Sequence, residues 1–192
     1  GNQKISTGHI DSKFGISIHQ LRHIERVMKS TNLLIEGLHM HTGSEIKDAD
    51  VFLQGLEIMF ELAEHFPDLK YIDMGSVFKV PYQKGDMETD VKTLGKKVEK
   101  ALTEYHQESG RKFELWFEPG KYLVSSSGHF LVKSNVIKQT TATVFVGINS
   151  GFNHLIRPMF YDSHHIIDNL SNPKGAERIY TVVGNICETD TF

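Results

Sequence analysis

The sequence predicts an α/β fold: part of a TIM-type (β/α)8 barrel, about four βα units, followed by the start of a β-rich C-terminal domain. Three observations carry this prediction. Short β-rich runs alternate with amphipathic helical stretches through the first two thirds of the chain. Small, polar and charged residues gather just after several of the β-rich runs, where a parallel barrel places its active site. After Gly128, β-branched runs replace helical periodicity.

Taken in order, Lys13-Phe14-Gly15-Ile16 reads as a short strand, and Leu21, Ile24, Val27 and Met28 follow at helical spacing. Leu33 to Met40 is the next strand. Asp48 or Asp50 caps a helix whose apolar face is Phe52, Leu56, Met59, Phe60, Ala63 and Phe66, until Pro67 stops it. Leu69 to Met74 is a third strand; Val91, Leu94, Val98, Ala101, Leu102 and Tyr105 then mark a helix ending near Gly110. Phe113 to Glu118 is the fourth strand. Asn135 to Thr143, Val144 to Ile148 and Ile179 to Val183 are strands of a second domain, so a boundary is expected near Ser125 to Gly128, dividing residues 1–125 from 126–192. Four units do not close a barrel, which needs eight strands, so the chain is expected to be a segment of a longer protein or to complete itself by association.

Composition narrows the function classes. Of 192 residues 39% are hydrophobic and 23% charged, which excludes disorder, collagen and coiled coil. No apolar run reaches the roughly 18 to 20 residues that span a bilayer, and the first residues lack the order of a signal peptide, so a cytoplasmic chain without membrane partners is expected. The single cysteine, Cys187, excludes an internal disulfide framework. With 21 Lys+Arg against 24 Asp+Glu there is no basic surplus for nucleic acid, and a small-molecule partner is expected.

Three strand ends carry the candidate chemistry: His39-Met40-His41-Thr42-Gly43-Ser44-Glu45, Asp73-Met74-Gly75-Ser76-Val77-Phe78-Lys79 and Glu118-Pro119-Gly120-Lys121. Backbone N–H groups at Gly75-Ser76 with the Ser44 hydroxyl suit a phosphate. Glu118 supplies a carboxylate, and an imidazole can stack on a flat ring, so the set points to an aromatic phosphorylated cofactor. Each feature also has a plainer reading. His39-x-His41 can ligate zinc, yet such a pair is more often core or surface histidine. Gly75-Ser76 alone is a turn, His164-His165 a solvated loop or helix pair, and Cys187 a small buried hydrophobe.

Gly37 to Ile46 (GLHMHTGSEI), Asp73 to Tyr82 (DMGSVFKVPY), Phe117 to Val124 (FEPGKYLV), Gly151 to His165 (GFNHLIRPMFYDSHH) and Gly184 to Asp190 (GNICETD) resemble five ordered blocks of the diaminopimelate decarboxylase family. Ser6 to Ile16 matches the same family's barrel. The resemblance implies a pyridoxal phosphate enzyme of the alanine racemase type. Residues 1–125 would be the second half of its cofactor-binding barrel, and 126–192 part of its C-terminal β-domain. It further implies that His41 stacks on the pyridine ring, that Ser44, Gly75, Ser76 and Val77 hold the phosphate, and that Glu118, in the block Glu118-Pro119-Gly120-Lys121, bonds the pyridine nitrogen. Lys121, Arg157 and Tyr161 would face the substrate's carboxylates. Cys187 would donate a proton to the product carbon and Glu188 would meet the distal ammonium, both in the active site of the other subunit, implying a homodimer with shared sites and no metal.

The sequence departs from the family's pattern at three points. Gly75-Ser76-Val77 stands where the family has three glycines, and a β-branched Val disfavours φ > 0 and crowds a phosphate. Lys121 replaces an arginine, a point charge in place of a planar fork. The Schiff-base lysine of the family lies upstream of the block at Ser6, so it is expected outside these 192 residues, and the segment by itself is expected to be inactive. The reaction implied is decarboxylation of meso-diaminopimelate to L-lysine and CO2, in lysine biosynthesis. The alternatives are a decarboxylase of carboxynorspermidine, ornithine or arginine, a noncatalytic relative acting as a binding or regulatory module, and a zinc hydrolase using His39 and His41.

Overall fold

The computed structural model describes residues 12–41, 43, 49–76, 78–189, 191 and 192. Two compact units emerge, each with its own three-stranded sheet. The described residues up to Val80, with Met87–Ser126, form the first; Pro81–Asp86 and Ser127–Phe192 form the second.

In the first unit, α1 (Leu21–Thr31), β1 (Gly37–His39), α2 (Ala49–Ala63), β2 (Tyr71–Asp73), α3 (Val91–Ser109), β3 (Glu114–Trp116) and α4 (Gly120–Val124) follow one another. The strands pair in parallel in the order β1-β2-β3, with Leu38, Ile72 and Leu115 in one register row. A parallel sheet is covered on its faces by its crossover helices, and α2 does this here. Its residues Phe52, Leu56, Met59, Phe60 and Ala63 are buried, as the periodicity predicts, and they join Phe66, Leu69, Ile72, Met74, Phe78, Leu94 and Val98 in one core. Burying side chains such as Leu56 and Ile72 stabilises the unit by about 1.5–3 kcal/mol each.

Helix ends follow local chemistry. Asp90 accepts from the Lys92 and Thr93 N–H groups at the start of α3, and Gly110 closes it in the left-handed conformation. Arg111 lies behind α2, donating from Nη1 to the Ala63 carbonyl at 2.6 Å and from Nη2 to the Phe66 carbonyl at 2.7 Å. A guanidinium there suits the partial negative charge of a helix C-terminus.

Several expectations are corrected. Lys13-Phe14-Gly15 is a bend, not a strand, because the Ser12 Oγ accepts the Phe14 N–H and a local turn replaces the ladder; three parallel strands are present among the described residues, not four. Regular pairing covers three residues of each of the other three predicted barrel strands. Asp50 lies in the first turn of α2 rather than at its cap, and Asp48 lies outside the described residues.

In the second unit, β4 (Ser134–Gln139) pairs antiparallel with β5 (Val144–Ile148), and β5 pairs parallel with β6 (Thr181–Val183). The five-residue helix α5 (Arg157–Tyr161) lies between β5 and β6 in sequence, with Pro158 in its first turn and Asp162 closing it at φ 55°. Val144, Ile148 and Ser150 are buried, whereas every residue of β4 is exposed.

Candidate functional site

The three strand ends of the first unit are laced together beyond the regular sheet. The Met40 N–H donates to the Asp73 carbonyl (2.9 Å), Met74 N–H to Trp116 O (3.0 Å) and Glu118 N–H to Gly75 O (3.0 Å). His41, Gly75 and Glu118 are thereby held at one edge of the sheet, as their positions at successive strand ends predict.

Within this group the contacts are specific. Asp73 Oδ1 accepts the Gly75 N–H at 2.8 Å, an Asx-type turn that shapes the loop. Gly75 is buried at φ +66°, and a Cβ there would lie 2.7 Å from His41 Nδ1 and 3.1 Å from the Met40 carbonyl. Only glycine fits both the conformation and the space. The Ser76 N–H donates to His41 Nδ1 at 3.3 Å, which fixes the half-buried ring against the loop and puts the neutral ring's proton on Nε2.

The Gly75 and Ser76 amides are thus engaged within the protein, a correction to the expectation that both offer free N–H groups to an anion. Ser44 and Val77 lie outside the described residues.

His39 and His41 do not act together. His39 Nε2 lies 3.4 Å from Glu118 Oε2 while His41 meets Ser76, because β1 ends between them and strand alternation no longer governs their directions. The donor atoms of His39, Asp73 and Glu118 lie within 4.8 Å of one another. Pro119 precedes α4, and Gly120 and Lys121 open it; the Lys121 carbonyl accepts the Ser125 N–H at 3.0 Å.

An imidazole fixed beside a glycine-tight loop, with a carboxylate from the adjoining strand, fits the ring of pyridoxal phosphate: a ring face from His41 and an anion for the pyridine N–H from Glu118. A separate cleft of about 690 Å³ is lined mainly by apolar side chains such as Leu94, Val98, Phe113 and Phe117, with Glu99 and His106 also in its wall.

In the second unit, Arg157 and Tyr161 come from one turn of α5. The Arg157 Cζ sits 5.4 Å from the Tyr82 ring centroid and 5.9 Å from that of Tyr161, and Nη2 donates to Ser163 Oγ at 3.2 Å. Among the described residues no carboxylate pairs with Arg157, and its buried Nε has no acceptor. Cys187 is an exposed free thiol rather than a buried hydrophobe, and Glu188 is exposed beside it. His165 is half-buried, its ring centroid 5.9 Å from that of Tyr82, where the sequence predicts a solvated pair with His164. The sequence assigns no individual role to Asp73, Tyr82 or His165; the Asp-x-Gly spacing of a turn signals the first, while the other two have no local signature.

The parallel sheet and its strand-end group accord with a pyridoxal-binding class of protein, and the match of residues 1–125 to the pyridoxal binding domain of the pyridoxal-dependent decarboxylases shows that the chain belongs to that family. Among its relatives is the diaminopimelate decarboxylase of Campylobacter jejuni, 33% identical over 193 residues, 98% of this chain and 46% of that protein. A crystal structure of diaminopimelate decarboxylase superposes with a TM-score of 0.88 at 31% identity, covering 100% of this chain and 47% of that one. That of the Helicobacter pylori enzyme complexed with L-lysine gives 0.85 at 25% identity, covering 100% and 48%. The chain spans about half the length of the curated relatives it matches. No helix among the described residues is long and apolar enough to cross a membrane.

Proposed function

We propose that the protein containing this chain decarboxylates meso-diaminopimelate to L-lysine and CO2, using pyridoxal phosphate. The observation that carries the reading is the group His41, Gly75 and Glu118 held at three successive strand ends in a chain of this family. When bound, the cofactor supplies an electron sink for the pair released as CO2 leaves.

Glu118 accepts the pyridine N–H and keeps that nitrogen protonated, which is what makes the ring a sink. His41 covers one ring face and, with Ser44, Gly75, Ser76 and Val77, shapes the phosphate end. Pro119 and Gly120 set the turn that presents Glu118, and Lys121 offers a cation to a carboxylate or phosphate. Arg157 and Tyr161 orient the carboxylate that stays on the product. Cys187 returns a proton to the carbon that lost CO2 and Glu188 meets the distal ammonium, each in the other subunit of a homodimer in the cytoplasm. Arg157, a cation without a carboxylate partner among the described residues, favours a substrate with a second carboxylate over ornithine or arginine.

Closure of the three-stranded sheet into a (β/α)8 barrel over residues 1–125, with 126–192 as part of a β-domain, belongs to the same proposal. The outer edges of β1 and β3, which pair with no further strand among the described residues, and the largely apolar cleft beside β3 support it. The test is Glu118→Gln in the complete gene product. L-lysine formation is expected to fall about 10²-fold or more with the cofactor still bound by absorbance, since charge stabilisation is lost while the shape is kept. Undiminished turnover would overturn the role of Glu118.

A further inference from the structure

Arg157 and His165 present the same anomaly beside one ring, that of Tyr82. The Arg157 Cζ lies 5.4 Å from the Tyr82 ring centroid, and the His165 and Tyr82 ring centroids are 5.9 Å apart at an interplanar angle of 78°. Arg157 Nε and His165 Nε2 are both buried, and neither has a hydrogen-bond partner among the described residues. Arg157 Nε–H can only donate, and a buried donor without an acceptor costs about 1–3 kcal/mol. Two such atoms sharing one aromatic support point to a common acceptor.

A carboxylate has two oxygens and can take one bond from each. We propose that His165 is a second donor, through Nε2–H, to the carboxylate that Arg157 takes, and so a specificity-determining residue for an α-amino acid ligand. This rests on the reading of Arg157 given above.

The surroundings of His165 agree. Burial, then the Arg157 charge, then His164 hold its pKa below the ordinary imidazole value, so the ring is neutral near pH 7 and adds no repulsion to Arg157. The groups facing it are Arg157, His164 and the Tyr82 ring. A bound carboxylate between the two side chains would offset the cationic field and raise that pKa.

The experiment uses the complete, cofactor-loaded gene product and two probes that differ by one carboxylate, L-lysine and cadaverine. Calorimetry gives the ratio of their affinities. In His165→Phe, which keeps a ring against Tyr82, the preference for L-lysine is expected to fall about tenfold. His165→Gln, whose side-chain amide can place a donor near Nε2, is expected to retain it within about threefold.

A preference unchanged in His165→Phe but lost in Arg157→Met removes His165 from the subsite and leaves the carboxylate reading in place. A preference unchanged in Arg157→Met removes that reading itself. The unsubstituted protein gives a second measurement. In carbon-labelled protein, the His165 ring is expected to titrate below about pH 6.5 and to shift upward with saturating L-lysine but not with cadaverine. A titration indifferent to L-lysine overturns the proposal.

Discussion

Gly75 shows how one residue sets the geometry of the strand-end site. Its φ of +66° and the 2.7 Å from a built Cβ to His41 Nδ1 act together, so Gly75→Ala combines backbone strain with displacement of the ring. It is expected to cost about 1–3 kcal/mol in thermal unfolding and to weaken cofactor retention. Gly85 provides the control: at φ +94° with nothing within 4 Å of a built Cβ, Gly85→Ala should strain the backbone yet leave cofactor retention unchanged. Equal loss of cofactor in both variants would show that the His41 contact is not the cause. The sequence already marks His41, Gly75 and Glu118 by position, because a parallel strand delivers its C-terminal residues to one edge. It does not mark the partners they choose. The step from His39 to His41 crosses the end of β1, and the amide that His41 accepts comes from a residue 35 positions away.

At the scale of elements, α2 is the most legible part of the chain: its five buried residues follow one helical stripe, and an apolar face of that width has no alternative but the sheet. Strand lengths are less legible, since Leu33 to Met40 reads as one apolar run but pairs regularly only over Gly37–His39. The segment Pro81–Asp86, grouped with the second unit, carries no compositional break from its neighbours. What holds α2 at its C-terminus is a long-range contact of Arg111. Replacing it by Met removes two charge-assisted bonds to the carbonyls of Ala63 and Phe66 and is expected to cost about 2 kcal/mol or more in urea unfolding. Arg111→Lys should recover only part of that loss, because one ammonium on a flexible stem does not reproduce the fork. Full recovery by lysine would show that charge alone, not bidentate geometry, matters there.

For the whole molecule, the three-stranded parallel sheet has an outer edge at β1 and another at β3. The Glu114 and Glu118 N–H groups point to β2, so by alternation those of Leu115 and Phe117 point outward. In the complete gene product a closed barrel would pair them, and both amides are expected to exchange as slowly as that of Ile72 in the central strand; fast exchange at Leu115 and Phe117 would show that the edge stays open. The family was legible because its blocks occur in order along the chain, whereas the proposed barrel would need strands beyond the three paired in parallel among the described residues. The most direct measurement is kcat/KM of the complete, pyridoxal phosphate-loaded gene product for meso-diaminopimelate beside ornithine, arginine and carboxynorspermidine, with CO2 and the amine product followed together. L-lysine and CO2 are expected in equal amounts from meso-diaminopimelate, at a kcat/KM above that for each of the others. Faster turnover of a substrate without a second carboxylate, or none of diaminopimelate, would contradict it.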